Sequence, residues 1–279
     1  MYTISQLLIY PIKSLGGFSV NSAQLTDRGL QYDRRWMLVD RSNKFLTQRE
    51  HPVMCLLQTS IENDKLVIYH KNNIEDKLAV PLHPAVTTTI KVNVWDDECA
   101  AQYVSEQADQ WFTQKLLMDC RLVYMPDTEK RRVEEDYAHN NEITAFSDGY
   151  PLMMIGQASL DDLNSRLPQP LPMDRFRPNI VFTGGSPFDE DTMEHLLING
   201  INLYGVKLSS RCVLTTINQT NAQKGKEPLK TLAGYRQKNN KIYFGQNLLF
   251  NQTGTITTGD TIKVLKSSIS ILFDNNGVS

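Results

Sequence analysis

Cysteine is scarce in this chain, and each one stands alone. The 279 residues hold four, Cys55, Cys99, Cys120 and Cys212, with no C-x-x-C spacing, so neither a zinc ribbon nor a disulfide framework is expected. A reducing compartment, the cytoplasm, is the natural expectation. Histidine is nearly as rare: His51, His70, His83, His139 and His195 are scattered. They fall short of the three or four clustered ligands of a zinc site, and no local sequence supports a Cys–His nucleophile pair. The Gly-x-Gly-x-x-Gly fingerprint of dinucleotide binding is missing. No apolar run approaches the ~18 residues of a membrane span. The opening Met1-Tyr2-Thr3-Ile4-Ser5-Gln6 lacks the pattern of a secretory signal. A net charge of -2 gives no reason to expect nucleic-acid binding. There is no internal repeat and no low-complexity tract.

What is present is an ordinary globular composition, 41% hydrophobic and 22% charged, in a chain long enough for two domains. Short alternating stretches predict strands over 4–10, 20–25, 35–39, 54–61 and 65–69, with hairpin connectors at 40–43 and 62–64. Val104, Ala108, Trp111, Phe112, Lys115 and Leu116 recur at helical spacing, predicting a helix over 105–117 that starts at Ser105. A strand over 122–124 precedes a charge-crowded, exposed loop over 127–141. A second helix spans 158–167, with Ser159, Asp161 and Asp162 in its first turn and Pro168, Pro170 and Pro172 ending it. Further strands are expected over 180–183, 197–203, 206–208, 213–217, 242–244, 254–257 and 261–265, with Gly259-Asp260 as a turn. The fold class is therefore α+β and β-dominated, with peripheral helices.

Cys212 differs from the other cysteines in its surroundings. It follows Ser209-Ser210-Arg211 at the start of an apolar, β-branched stretch. A neighbouring guanidinium favours the thiolate, the form that attacks electrophiles and binds soft metals. The bland alternative, a small half-buried residue at a strand start, is equally compatible with the octapeptide alone. Tyr10-Pro11-Ile12-Lys13-Ser14 ends the first strand, where Lys13 and Ser14 are placed to meet a phosphate. In Asp33-Arg34-Arg35-Trp36, adjacent arginines point to opposite faces, so one needs an anionic partner: Asp33, Glu50 or a bound phosphate. Thr47-Gln48-Arg49 adds a cation at a strand end. Phe176-Arg177-Pro178-Asn179 offers an extended arginine and an amide able to meet a heterocycle. Lys226-Glu227-Pro228-Leu229-Lys230-Thr231-Leu232 and Phe244-Gly245-Gln246-Asn247 complete the set.

In this order and spacing the motifs resemble the MOSC family, named for the C-terminal domain of molybdenum cofactor sulfurase. Within it the chain looks like the bacterial relatives of the mitochondrial amidoxime-reducing component. The resemblance runs from Tyr10 to about Leu265. It implies an N-terminal MOSC β-barrel domain over 1–120, a MOSC β-barrel domain over 121–268 and a tail over 269–279. It also implies a molybdenum cofactor, molybdopterin with its metal bound by Cys212. Lys13 with Arg34 or Arg35 would hold the phosphate, and Ser14, Arg177, Asn179, Ser210 and Arg211 would complete the cofactor site. Asp148, in Ser147-Asp148-Gly149-Tyr150-Pro151, would line the pterin end, although Gly149 and Tyr150 depart from the family's small hydroxylated pair. Phosphate, pterin and dithiolene-held metal ask for cations, amide-type groups and a soft ligand, and these residues supply them.

The activity implied is a pyridoxal-phosphate-independent oxidoreductase that reduces small N-hydroxylated substrates, amidoximes or N-hydroxylated bases. The alternative is a sulfur or cofactor carrier using Cys212 as a persulfide or cofactor ligand. No cysteine follows Cys212, so no iron–sulfur cluster is expected in this chain. Electrons would come from an external donor protein of ferredoxin, flavodoxin or cytochrome type.

Overall fold

The structure is a computed structural model that describes residues 1–138 and 140–268. The tail expected over 269–279 lies outside the described residues. Seven strands close a barrel: β1 (Tyr2–Ile9), β2 (Leu152–Gly156), β3 (Ile180–Thr183), β4 (Met193–Ile198), β5 (Ile201–Arg211), β6 (Lys241–Phe250) and β7 (Thr261–Ser267). Around the ring the order is β1, β7, β4, β5, β6, β2, β3 and back to β1. Every neighbouring pair is antiparallel except β2 and β3. That parallel pair needs a crossover, and α2 (Gln157–Ser165) supplies it. Closure removes the exposed edges that an open sheet would leave. One apolar cluster takes a buried residue from every strand: Leu7, Met154, Ile180, Leu196, Leu203, Leu248 and Ile262.

The remaining N-terminal strands form smaller sheets. Trp36–Val39, Arg121–Tyr124, Asp97–Tyr103 and Thr89–Val94 make one, and Leu57–Glu62, Lys65–His70 and Asn73–Pro81 make another. The helix α1 (Glu106–Leu116) is capped by Ser105, whose hydroxyl accepts from the Ala108 amide at 3.1 Å. Its buried stripe, Ala108, Phe112 and Leu116, meets Ile12, Leu15, Trp36 and Leu57 in a second core. The first strand of the chain thus closes the later barrel, while Arg121–Tyr124 pairs back onto Trp36–Val39. The two regions share strands across the 120/121 division.

The β-dominated architecture with peripheral helices is the one expected. Three local expectations are corrected. Residues 54–56 belong to a 3-10 turn, Pro52–Leu56, which Pro52 starts. The strand expected over 197–203 is broken by Asn199 and Gly200, both left-handed (φ 47° and 80°), which turn β4 into β5. The strand expected over 213–217 is a 3-10 turn, Val213–Thr216. Thr215 and Thr216 turn their hydroxyls back onto the carbonyls of Cys212 and Val213, at 3.0 and 2.7 Å. Such local bonds compete with strand pairing and outweigh β-branched propensity here. Cys212 therefore ends a strand and does not begin one.

The start of α2 also differs from expectation. The acid that serves it is Glu190, fully buried, which accepts from the Gly156 amide at 3.2 Å and the Ser159 hydroxyl at 2.8 Å.

Candidate anion-binding site with a thiol

A cavity of about 340 Å³ lies where the barrel meets the N-terminal region, within the range of small-molecule sites. Seven cationic side chains line it, Lys13, Arg34, Arg49, Arg175, Arg177, Lys207 and Arg211, against two carboxylates, Glu134 and Asp148. A chain of slightly negative net charge thus concentrates positive charge at one place, which suits an anionic ligand.

Lys13 is placed by the loop that leaves β1. Its amide donates to Trp36 O (2.8 Å) and the Trp36 amide donates to Pro11 O (3.0 Å), tying the loop to the neighbouring sheet. Gly17 closes the loop against the Ile9 carbonyl, where an added Cβ would sit 2.4 Å from the oxygen. The lysine is driven inside, 5% exposed, and Nζ donates to Phe146 O at 2.8 Å and Asp148 Oδ1 at 2.5 Å. Burial, only partly offset by Asp148, pulls its pKa down to about 8.

Arg34 and Arg35 do face opposite ways. Arg34, left-handed at φ 49°, lines the cavity, pairs with buried Asp33 at 2.6 Å and donates to Arg177 O at 3.1 Å. Arg177 donates to Leu15 O at 2.6 Å, and both guanidinium groups lie over the Tyr10 ring, at 4.5 and 4.2 Å. Burial, reinforced by the like charge of Arg34, lowers the Arg177 pKa to about 10. Arg35 is turned away from the cavity, so of the two arginines offered for the phosphate it is Arg34 that lines it. Its Nη2 bonds Asp127 (2.7 Å), Tyr124 (2.8 Å) and Met125 O (2.6 Å). Its carboxylate partner is Asp127, neither of the two weighed from the sequence.

Ser14, Asp148, Asn179, Ser210, Arg211 and Cys212 all reach the cavity. Asn179 is largely committed to the barrel: Nδ2 donates to Leu8 O and Oδ1 accepts from the Met153 amide, both at 3.3 Å. Asp148 is carried by a segment whose carbonyls, at Ala145, Ser147 and Asp148, all accept from Arg131. The charged loop is therefore exposed in part only, since Arg131 and Val133 are buried. Burial would raise the Asp148 pKa, but Lys13 and Arg49 outweigh it and hold the carboxyl well below the usual range.

Cys212 is the half-exposed cysteine; Cys55, Cys99 and Cys120 are buried. Its sequence neighbour Arg211 acts on the sulfur through charge and not through a hydrogen bond. That guanidinium donates to Phe176 O at 3.0 Å, and its buried Nε has no hydrogen-bond partner among the described residues. Burial lowers the Arg211 pKa to about 10. The group on the sulfur is Arg49, with Nε 3.1 Å from Sγ. Asn247, from the motif Phe244-Gly245-Gln246-Asn247, lines the cavity beside Lys207, its partner across β5 and β6, and Lys207, Glu134 and Arg175 join the lining without a signal in the sequence. Among the described residues no three His, Cys, Asp or Glu side chains are grouped to hold a metal. A metal at Cys212 would have to bring most of its ligands with it.

The fold and site define a closed β-barrel protein with a cation-lined cavity into which one thiol opens. Residues 1–119 match the MOSC N-terminal beta barrel domain and residues 141–263 match the MOSC domain. The chain is 34% identical to mitochondrial amidoxime-reducing component 1 of Mus musculus, over 94% of this chain and 82% of that protein. The human protein of that name is also 34% identical, over 94% of this chain and 83% of its own length. Molybdenum cofactor sulfurase of Oryza sativa is 34% identical over 87% of this chain, which spans only 32% of that protein. The chain belongs to the MOSC family.

Proposed function

We propose that this chain is a molybdenum cofactor-dependent oxidoreductase that reduces N-hydroxylated compounds with electrons from a separate donor protein. The observation that carries the reading is the half-exposed thiol of Cys212 opening into a cavity lined by seven cations. The residues fit a molybdopterin-type group. Lys13, Arg34 and Arg177 offer charge to a phosphate, and Ser14 and Ser210 offer hydroxyls. Arg211 adds the unpartnered Nε, a buried donor that needs an acceptor. Cys212 is the soft ligand for the metal, and a dithiolene explains why no protein cluster of ligands is needed. Arg35 is outside this set.

When bound, the cofactor supplies two-electron redox chemistry. Reduction of an amidoxime takes two electrons and two protons, breaks the N–O bond and yields the amidine and water. The chain's own residues bind the anionic cofactor, fix the sulfur and leave one side of it open to substrate. Free cysteines, three of them buried, suit a reducing compartment such as the cytoplasm. No helix among the described residues is long and apolar enough to cross a membrane.

The similarity to a molybdenum cofactor sulfurase supports a second reading, a carrier in which Cys212 holds sulfur or a maturing cofactor. Metal and pterin analysis of the purified chain, followed by anaerobic amidoxime reduction with reduced viologen, separates the two. Stoichiometric molybdenum with turnover supports the reductase. Cyanide-labile sulfur without molybdenum, or full molybdenum without turnover, sinks it.

A further inference from the structure

Arg49 is held from several sides. Its Nε donates to Cys212 Sγ at 3.1 Å and its Nη2 to Asp148 Oδ2 at 2.7 Å, while its guanidinium lies 4.7 Å from the Trp95 ring centre. Its backbone is fastened too: the amide donates to Thr47 Oγ1 at 3.0 Å, and its carbonyl accepts from Lys224 at 3.1 Å.

Trp95 is the unusual member of this group. It stands in the two-residue turn between Thr89–Val94 and Asp97–Tyr103, left-handed at φ 57° and 46% exposed. That position favours asparagine or glycine, and a bulky residue there is strained. A local rule broken without local gain points to a role elsewhere. The contacts of the indole say where: its edge packs on Phe45, its face lies on Arg49, and Nε1 donates to Asp148 Oδ1 at 3.2 Å. Trp95 and Asp148 together fix the guanidinium from its face and from its end.

We propose that Arg49 is the positioning residue of Cys212, locked onto the sulfur by Trp95 and Asp148, and that its N–H governs how strongly the sulfur donates. The assignment of Arg49 to the sulfur rests on geometry alone; its consequence for a metal rests on the proposed function. In the metal-free chain the same N–H holds Sγ in place, with its free side toward the cavity where an electrophile arrives. With a metal on the sulfur, the same hydrogen bond draws electron density from the ligand and makes the metal easier to reduce. Lysine cannot reproduce this, because a point charge lacks the fork that serves sulfur and carboxylate together.

The test uses the metal-free full chain and iodoacetamide at pH 7.5, with mass spectrometry reading alkylation at Cys212. Arg49→Gln slows alkylation about tenfold, Arg49→Lys lies between it and wild type, and Trp95→Ala slows it severalfold. Trp95→Phe, which keeps an aromatic face, recovers most of the rate. Far-ultraviolet circular dichroism of each variant checks the fold, and Lys91→Gln, on the same hairpin, controls for general loosening. Folded Arg49→Gln alkylated at the wild-type rate overturns the proposal, as does equal slowing in Lys91→Gln. In molybdenum-loaded protein Arg49→Gln shifts the metal's reduction potential to more negative values; an unchanged potential overturns the electronic part. Wild type without molybdenum counts against the reductase reading, and the alkylation series still decides the role of Arg49.

Discussion

The Nε of Arg49 lies 3.1 Å from the Sγ of Cys212, across 163 residues of sequence. Asp148 continues the relationship, bonding Arg49 through one oxygen and Lys13 through the other. Lys13, Asp148, Arg49 and Cys212 thus form one connected line of polar contacts drawn from four separate segments. The line joins the loop after β1, the segment before β2, the turn at 48–50 and the end of β5. Between the lysine and the sulfur stand one carboxylate, Asp148, and one guanidinium, Arg49. Both matched regions, residues 1–119 and 141–263, thus contribute to the lining of one cavity.

Replacing the sulfur tests its role most directly. Cys212→Ser is expected to fold, because the residue is half-exposed at a strand end, and to lose viologen-driven amidoxime reduction, since a hydroxyl is a harder ligand than a thiolate. Molybdenum and turnover are the readouts. Alanine at Cys55, Cys99 or Cys120 removes buried side chains and lowers stability while leaving per-molybdenum turnover within a factor of about two.

The two arginines beside Trp36 should separate cleanly. Lys13→Ala removes a charge-assisted contact worth roughly 1.5–3 kcal/mol, about 10- to 150-fold in cofactor affinity. Arg34→Ala weakens retention in the same direction. Arg35→Ala instead breaks the links to Asp127, Tyr124 and Met125, lowering the melting temperature with molybdenum content unchanged. Equal molybdenum loss from both arginine variants would reject the geometry.

Cofactor retention should fall as pH rises through about 8. The folded pKa of Lys13 lies below its ordinary value of 10.5, so burial favours the neutral amine, and the empty site gains stability as pH rises from 8 toward 10.5. An anion needs the charged form. Binding therefore takes up a proton near pH 8 and weakens by up to about tenfold per pH unit above it. Pterin fluorescence of retained cofactor between pH 6.5 and 9.5 measures this, and Lys13→Met should flatten the dependence.

The reading from sequence succeeded where a signal is local. Turn residues mark the hairpins and Ser105 marks the start of α1; of the residues the short motifs single out, Lys13, Arg177 and Cys212 line the cavity, although Arg177 is left-handed (φ 56°) and not extended as the proline after it implies. It failed where chemistry is made by distant segments. Nothing near Thr47-Gln48-Arg49 shows that its arginine meets the cysteine just past β5, and Lys207 is an ordinary residue inside a strand. The error at 213–217 has the same origin: two threonine hydroxyls closing a turn beat the β propensity of their own stretch. Arg34 and Arg35 face opposite ways, but not by strand alternation: the strand begins at Trp36, Arg34 is a left-handed turn residue, and Arg35 is held by Asp127, 92 residues away.

Glu190 gives a stability prediction that tests the barrel independently of any cofactor. The carboxyl is fully buried beneath α2, bonded to Gly156 and Ser159, with Asp191 beside it. Burial, and then the charge of Asp191, push its pKa up to about 7 from 4.5. A raised folded pKa means that the folded state holds more protons than the unfolded one between pH 4.5 and 7. The stabilising contribution is full below 4.5 and is lost as pH rises through 7, by on the order of 3 kcal/mol. Glu190→Gln keeps an acceptor for Gly156 and cannot ionise. It should therefore be more stable than wild type at pH 8, with the difference shrinking toward pH 5. Urea unfolding at pH 5, 6.5 and 8 reads the effect; a variant less stable than wild type at pH 8 would show that the carboxylate is the form the fold prefers.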